Sequence, residues 1–335
     1  MSSDKVAVIG GGPGGLCAAR SVAEIGGEVL LIEQRDFLGG TPVAENYAGL
    51  TPHGEPAQPQ IQQMIEAVTA HPKVEVKLGA ELSALAGGPG AFVLTLRGSK
   101  GAETQTVECG AIIIATGFSH FDPGRATQMY GYFEFPDVIT QADLEAMLSA
   151  HSVIRPSNGQ APERVCFIQC VGSRDRQIGN EYCSKVFIFY IDMRMYGFWE
   201  NEIYWPAQEQ HHVQYVKGLI TEILPRGDRL LVRGEDTTMG RPMEVPMDLV
   251  VLSVGMEPSR GTREVAKLLG VKQDKYGFIE AVCGPLDPVG TDREAIFVCG
   301  AAFGPADLED TVSSAASAAV RAVGYLRSLS AAAAN

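Results

Sequence analysis

Short, wholly apolar runs alternate with helical periods through the first third of the chain. That alternation predicts buried parallel strands joined by covering helices. Residues 6–9, 29–32 and 111–114 are each four apolar residues in a row, so each strand is expected to be buried on both faces. An amphipathic helix is expected over 60–70 and a strand over 74–82. Residues 91–98 and 104–110 alternate apolar and polar positions with glycines between, the pattern of an antiparallel meander. A short helix follows at 143–150. Strand patterns return at 164–170, 186–194, 211–218, 229–235 and 243–255, then at 295–300 before a last helix over 311–326.

Between the first strand and the first helix, residues 10–15 read Gly-Gly-Gly-Pro-Gly-Gly. In that context Gly10 permits a tight turn, Gly12 clears the backbone for a pyrophosphate, and Gly15 lets helix and strand pack closely. Pro13 and Gly14 open the helix, whose free amides face the phosphates. The loop therefore predicts a dinucleotide site. About 18 residues after Gly15, the second strand ends at Glu33, where such folds place a carboxylate on a ribose hydroxyl, with Gln34 beside it. Gly39, Gly40 and Thr41 form a loop that lets backbone approach a ligand across the carboxyl edge of the sheet. Leu82 reads either as an adenine contact or as core packing. Ala115, Thr116 and Gly117 end a buried strand in side chains small enough for a ligand to pass. Gly300 and Ala301 do the same at the last strand, and Thr311 opens a helix whose amino end suits negative charge, with Asp307, Glu309 and Asp310 as caps.

Because a buried strand and helix close the chain after a separate run of strands, the first domain is expected to be split. Its parts are 1–150 and 285–335, around an inserted domain over 160–284. The Pro-, Ser- and Gly-rich segment 155–163 is the composition break. After the first strand of the insert only Gly172 is present, so a second dinucleotide fingerprint is lacking.

With 27 basic and 40 acidic residues among 335, the net charge of -13 disfavours nucleic acid and anionic membranes as partners. No apolar run approaches the ~20 residues of a membrane span, and the first strand begins too early to leave room for a secretion signal. Seven irregularly spaced cysteines fit a reducing compartment, so a cytoplasmic protein is expected.

Three stretches carry a family resemblance: residues 117–123 with 130–140, residues 167–175 with 182–185, and residues 296–312. They resemble the FAD-binding core of the heterodisulfide reductase A subunit. With no ferredoxin-type cysteine clusters flanking that core, the chain looks most like the short A-type subunit of the heterodisulfide-reductase-like complex of sulfur-oxidising bacteria. The resemblance implies an α/β, thioredoxin-reductase-like flavoprotein with two dinucleotide-binding domains, FAD as tight cofactor, and a 4Fe-4S iron–sulfur cluster. It further implies a homodimer that passes electrons to B and C subunits in sulfur oxidation, with NADH as an optional donor. Two other functions compete: a free-standing NAD(P)H-dependent flavin disulfide reductase, and an assembly scaffold that keeps FAD as a structural element.

In the family pattern the cluster cysteines begin at the positions of Cys170 and Cys183 and continue with two adjacent cysteines. Those last positions hold Phe187 and Ile188 here. The strands around 165–170 and 186–192 should also be parallel neighbours, yet the residues between them read as loop where a crossover normally takes a dozen or more residues and a helix. Cys283, in a turn, is a third candidate ligand. Cys166 lies four residues before Cys170 on one strand, ~13 Å away, too far to share a cluster with it. Cys17, Cys109 and Cys299 read as small buried hydrophobes. No C-x-x-C dithiol occurs, and the adjacent His211 and His212 do not make a metal pair. The aromatic stretch from Met193 to Trp205 reads either as core or as a partner surface.

Overall fold

The computed structural model describes residues 3–51, 54–98, 104–125, 130–171, 189–190 and 199–334. They form two compact units, Met1–Ser119 with Glu257–Asn335, and His120–Met256.

The first unit is built on a five-stranded parallel sheet in the order Ile296–Val298, Ala111–Ile114, Lys5–Ile9, Glu28–Ile32, Val74–Lys77. The apolar runs are buried on both faces, as their lack of polar alternation requires. Helix Pro13–Glu24 lays Leu16, Ala18, Ala19 and Val22 on this core, and helix Leu308–Ala334 adds Ala315, Ala318, Ala319 and Ala322. Alanines at that helical spacing let the last helix approach closely. The alanine-rich tail carries this helix well past the expected end at 326. Strands Ala91–Gly98 and Gln105–Cys109 pair antiparallel as expected, and Ala80–Gly88 adds a third strand to them, so the single strand expected over 74–82 is divided between this sheet and Val74–Lys77 of the parallel one.

Register fixes the functional edge. Ile9 is level with Ile32 on one side and Ile114 on the other, and Ile114 with Val298. The residues that follow, Gly10, Glu33, Ala115 and Cys299, therefore leave the sheet side by side.

The second unit holds a seven-stranded sheet: Val138–Thr140, Leu249–Val254, Val165–Val171, Phe189–Tyr190, Val216–Arg226, Arg229–Asp236, Arg241–Met247. Its first five strands pair parallel and the last two add an antiparallel hairpin. Ile168 pairs with Phe189, so the two strands read as parallel neighbours are neighbours. Their connection lies outside the described residues.

The units exchange the chain earlier than the composition break suggests. Phe121 is buried in the second unit's core with Val138, Cys166 and Leu252. Residues 155–163 do not mark the boundary, because Arg155 turns inward and is buried in the second unit. Its guanidinium meets Asp137 at 2.9 Å and Asp248 at 3.9 Å, and Arg229 closes on Asp248 at 3.0 Å. Ser157 donates to Asp137 through its amide and its hydroxyl, while the amides of Glu163 and Arg164 both donate to Asp248. On the return, Val265, Ala266 and Leu269 of helix Arg260–Leu269 already pack in the first unit's core.

Candidate functional site

The glycine loop is shaped by contacts that no side chain would fit. Gly10 has φ +114°, and a Cβ there would lie 2.2 Å from the Ala115 carbonyl oxygen. Gly12 differs: its φ is -76°, and a Cβ would meet only the Gly40 Cα, at an ordinary 3.6 Å. The space beside Gly12 is thus free of protein at the start of helix Pro13–Glu24, whose amino end has no side-chain cap. An uncapped helix amino end facing an open backbone is a cradle for a phosphate. Across it, Gly40 at φ +64° backs onto Gly12, and the amide of Gly39 donates to the Gly11 carbonyl at 2.8 Å.

Glu33 is buried, and both its oxygens are oriented by backbone. One accepts from the Gly11 amide at 2.6 Å and the other from the Arg35 amide at 2.8 Å. An ionised carboxylate offers about four lone-pair sites, so capacity remains for a ribose hydroxyl. This fixed acceptor beside the phosphate cradle fits a dinucleotide on chemical grounds.

On the far side of the first strand, Gly117 takes φ +67° with nothing near its Cβ position. Gly300 has φ +60°, and its amide donates to the Ser314 hydroxyl at 3.0 Å. A Cβ on Gly14 or on Gly300 would each meet the Thr311 methyl at 3.1 Å, so these three candidates touch one another. Asp307 caps the last helix, its carboxylate accepting from the Asp310 amide. Ala115 and Ala301 are buried, and Thr41 opens the short helix Thr41–Ala44 next to Gly40. The edge therefore gathers Gly10, Gly12, Gly14, Gly15, Glu33, Gly40, Ala115, Thr116, Gly300 and Thr311. Gln34 is exposed beside it, and the Leu82 side chain is packed in the core. Sequence reasoning missed Ser259 and Thr262, at the amino end of helix Arg260–Leu269, which bind the backbone of Thr116 and Gly117. The serine cap before that amphipathic helix was a readable signal; its contact with the distant turn was not.

Five thiols fall within the described side chains. Cys109, Cys166 and Cys299 are buried, and burial raises all three, Cys109 and Cys299 to about 12. Cys17 is half-buried and also raised by burial. Cys283 is exposed in its loop. Cys183, Phe187, Ile188 and the side chain of Cys170 lie outside the described residues. Among those described, no group of three or more His, Cys, Asp or Glu could hold a metal ion. Of the aromatic stretch, Tyr204 meets Trp205 edge to face and Tyr215 at a tilt, and Trp205 is exposed.

Among the described residues of the second unit, the buried polar atoms without a hydrogen-bond partner include Gln141 Oε1, Gln169 Nε2 and Ser253 Oγ. Gln169 and Ser253 lie near the carboxyl ends of neighbouring parallel strands, and Gln141 opens the helix that follows strand Val138–Thr140, on the other side of Leu249–Val254.

Residues 4–151 match the family described as pyridine nucleotide-disulphide oxidoreductase. The A subunit of the H(2):CoB-CoM heterodisulfide,ferredoxin reductase of Methanothermobacter thermautotrophicus is 37% identical over 247 residues, 66% of this chain and 37% of that protein. The iron-sulfur A subunit of the CoB--CoM heterodisulfide reductase of Methanocaldococcus jannaschii is 38% identical over 261 residues, 69% of this chain and 39% of its own length. The A subunit of the Ferredoxin:CoB-CoM heterodisulfide reductase of Methanosarcina acetivorans is 28% identical across 95% of this chain and 56% of that protein. The chain thus spans between about a third and a little over half of these relatives. Among solved structures, thioredoxin reductase of Lactococcus lactis superposes with a TM-score of 0.64 at 18% identity, over 98% of this chain and 100% of that one. That of T. acidophilum gives 0.62 at 17%, over 98% and 99%. No helix among the described residues is long and apolar enough to cross a membrane. The chain is thus a homologue of the heterodisulfide reductase A subunit, built on the thioredoxin-reductase fold and carrying a pyridine nucleotide-disulphide oxidoreductase domain at residues 4–151.

Proposed function

We propose that the chain is the FAD-bearing electron-transfer subunit of a heterodisulfide-reductase-like complex of sulfur oxidation, a cytoplasmic homodimer acting with B and C subunits. The observation that carries the cofactor assignment is the open space at Gly12, set between an uncapped helix amino end and the backbone-fixed carboxylate of Glu33. In this reading Gly10, Gly12, Pro13, Gly14 and Gly15 shape the pyrophosphate seat, and Glu33 with Gln34 takes the ribose. Gly39, Gly40 and Thr41 pass beside the ring system on one side, and Ala115, Thr116, Gly117, Gly300, Ala301 and Thr311 on the other. Backbone at the amino end of Leu308–Ala334 offers positive dipole where negative charge gathers. FAD when bound supplies the one- and two-electron chemistry; the chain binds, orients and screens it.

The iron–sulfur part of the proposal rests on Cys170 and Cys183, at the family's spacing, with Cys283 as a further ligand. The name of the M. jannaschii relative supports it. Anaerobic purification followed by FAD, iron and sulfide analysis tests both parts. One FAD per chain with iron is expected. A folded protein that takes up no FAD overturns the reading.

A second reading, direct reduction by NAD(P)H, is favoured by the unpartnered polar atoms of Gln141, Gln169 and Ser253 at one sheet edge. In open α/β sheets ligands bind beyond the carboxyl ends of the strands. Rapid bleaching of the flavin by NADH alone would select it.

A further inference from the structure

We propose that Ser259 and Thr262 are positioning residues for the cofactor, acting through the Thr116–Gly117 turn. The inference rests on the FAD assignment above. Ser259 is the N-cap of helix Arg260–Leu269, its side chain accepting from the Thr262 amide at 2.9 Å. Thr262, on the first turn, has no exposed surface.

Counting hydrogens fixes what these hydroxyls do. Ser259 Oγ donates to the Thr116 carbonyl at 2.9 Å, and Thr262 Oγ1 donates to the Gly117 carbonyl at 2.9 Å. Each hydroxyl has one hydrogen, so the 2.8 Å contact between Thr116 Oγ1 and Thr262 Oγ1 takes its hydrogen from Thr116. All three hydroxyl hydrogens are thus committed within the cluster, and the 3.0 Å approach of Ser259 Oγ to Thr262 Oγ1 carries none. Two successive carbonyls of the turn are pulled toward the helix, at a glycine held at φ +67°.

The same turn abuts the phosphate loop. A Cβ on Gly10 would lie 2.2 Å from the Ala115 carbonyl oxygen and 3.2 Å from the Thr116 Cα. The backbone of the two loops is therefore in contact, and the hydroxyl cluster braces one of them from behind. Released from Ser259 and Thr262, the two carbonyls lose their buried partners and the turn relaxes at Gly117, the residue with most freedom to move. The surface it presents beside Gly10 then shifts.

The test compares Thr262→Val, which keeps shape and loses the hydroxyl, with Thr262→Ser, which restores it. FAD affinity is measured by titrating apoprotein, and visible circular dichroism of the flavin is recorded at saturation. Thr262→Val is expected to bind FAD about tenfold more weakly with an altered flavin spectrum, and Thr262→Ser to match the parent in both. Ser259→Gly, which keeps a favourable N-cap residue, is a second probe should Thr262→Val not fold, and the same shifts are expected. A variant with parent affinity and parent spectrum overturns the proposal, even if its melting temperature falls, because the role is then structural alone. A Thr262→Ser protein as impaired as Thr262→Val overturns it as well. If the parent itself binds no FAD, the cofactor assignment fails and this inference falls with it.

Discussion

Gly15 and Gly10 meet backbone to backbone across the phosphate loop: a Cβ on Gly15 would lie 1.7 Å from the Gly10 carbonyl oxygen. Gly12, between them, has no such neighbour. Gly15 is required by the fold, whereas the proposed pyrophosphate seat is what would require Gly12, although both belong to one sequence pattern.

Gly15→Ala is therefore expected to destabilise the first unit by roughly 3 kcal/mol or more, since the clash is with backbone that cannot rotate away. Gly12→Val is expected to fold with near-parent stability and to lose at least nine-tenths of its FAD. Thermal melts of apoprotein and flavin absorbance of purified protein separate the two effects. Full FAD content in a folded Gly12→Val protein would place the pyrophosphate elsewhere.

The site edge was legible because its signals are local. A glycine spacing, an acidic residue at a strand end and small residues after Ile114 can each be read within a few positions. The exchange points between units were not, because they depend on single long-range burials. Arg155 stands in a Pro-, Ser- and Gly-rich segment that reads as a domain boundary, yet it pairs with Asp137 and Asp248 in the second unit. Phe121 likewise falls within the expected first domain, 1–150, and only its burial in one core with Val138 and Leu252 shows which unit owns it. Ser259 and Thr262 escaped for the same reason: a cap is a local pattern, but its grip on Thr116 spans 143 positions.

Replacing Glu33 by Gln is expected to weaken FAD binding roughly 10- to 100-fold, the scale of one or two lost hydrogen bonds to a charged group. The amide nitrogen would have to face either the Gly11 or the Arg35 amide, setting donor against donor where the carboxylate now accepts from both. Titration of apoprotein with FAD measures it. Glu33→Gln affinity equal to the parent's would show that the carboxylate serves the loop alone.

Arg155→Ala is expected to destabilise the second unit by roughly 3–5 kcal/mol, because Asp137 and Asp248 would be left as buried charges short of a partner. Acid should do similar damage from the other side. Burial alone would raise the Asp137 carboxyl, but hydrogen bonds from Ser157 and Arg155 outweigh it and hold the group below its ordinary 3.8. A carboxylate depressed in the folded state contributes stability that is fully present above 3.8 and lost as pH falls through the lower folded value. Denaturant midpoints should therefore drop as pH falls below about 4, and the drop should be smaller in Asp137→Asn, which has no proton to take up there. Equal acid sensitivity of parent and Asp137→Asn would assign the loss to other groups.

Thiol labelling should separate the cysteines by exposure. Alkylation proceeds through the thiolate, and at pH 8 a thiol raised to about 12, as burial makes Cys109 and Cys299, is ionised only to about one part in 10,000. Cys166 is buried and raised as well. These three are expected to resist iodoacetamide in the folded protein and to react only in denaturant, while exposed Cys283 is modified before them in iron-free protein; peptide mass spectrometry reads each site. The same experiment bears on the iron–sulfur proposal, since a thiolate bound to iron is shielded from alkylation and freed when the cluster is removed. In anaerobically prepared protein, Cys170 and Cys183 should become reactive only after iron is chelated, and Cys170→Ala or Cys183→Ala should lower iron content while leaving FAD bound. Cys170 and Cys183 labelling freely in iron-loaded protein, or iron unchanged in both variants, would remove them from the ligand set.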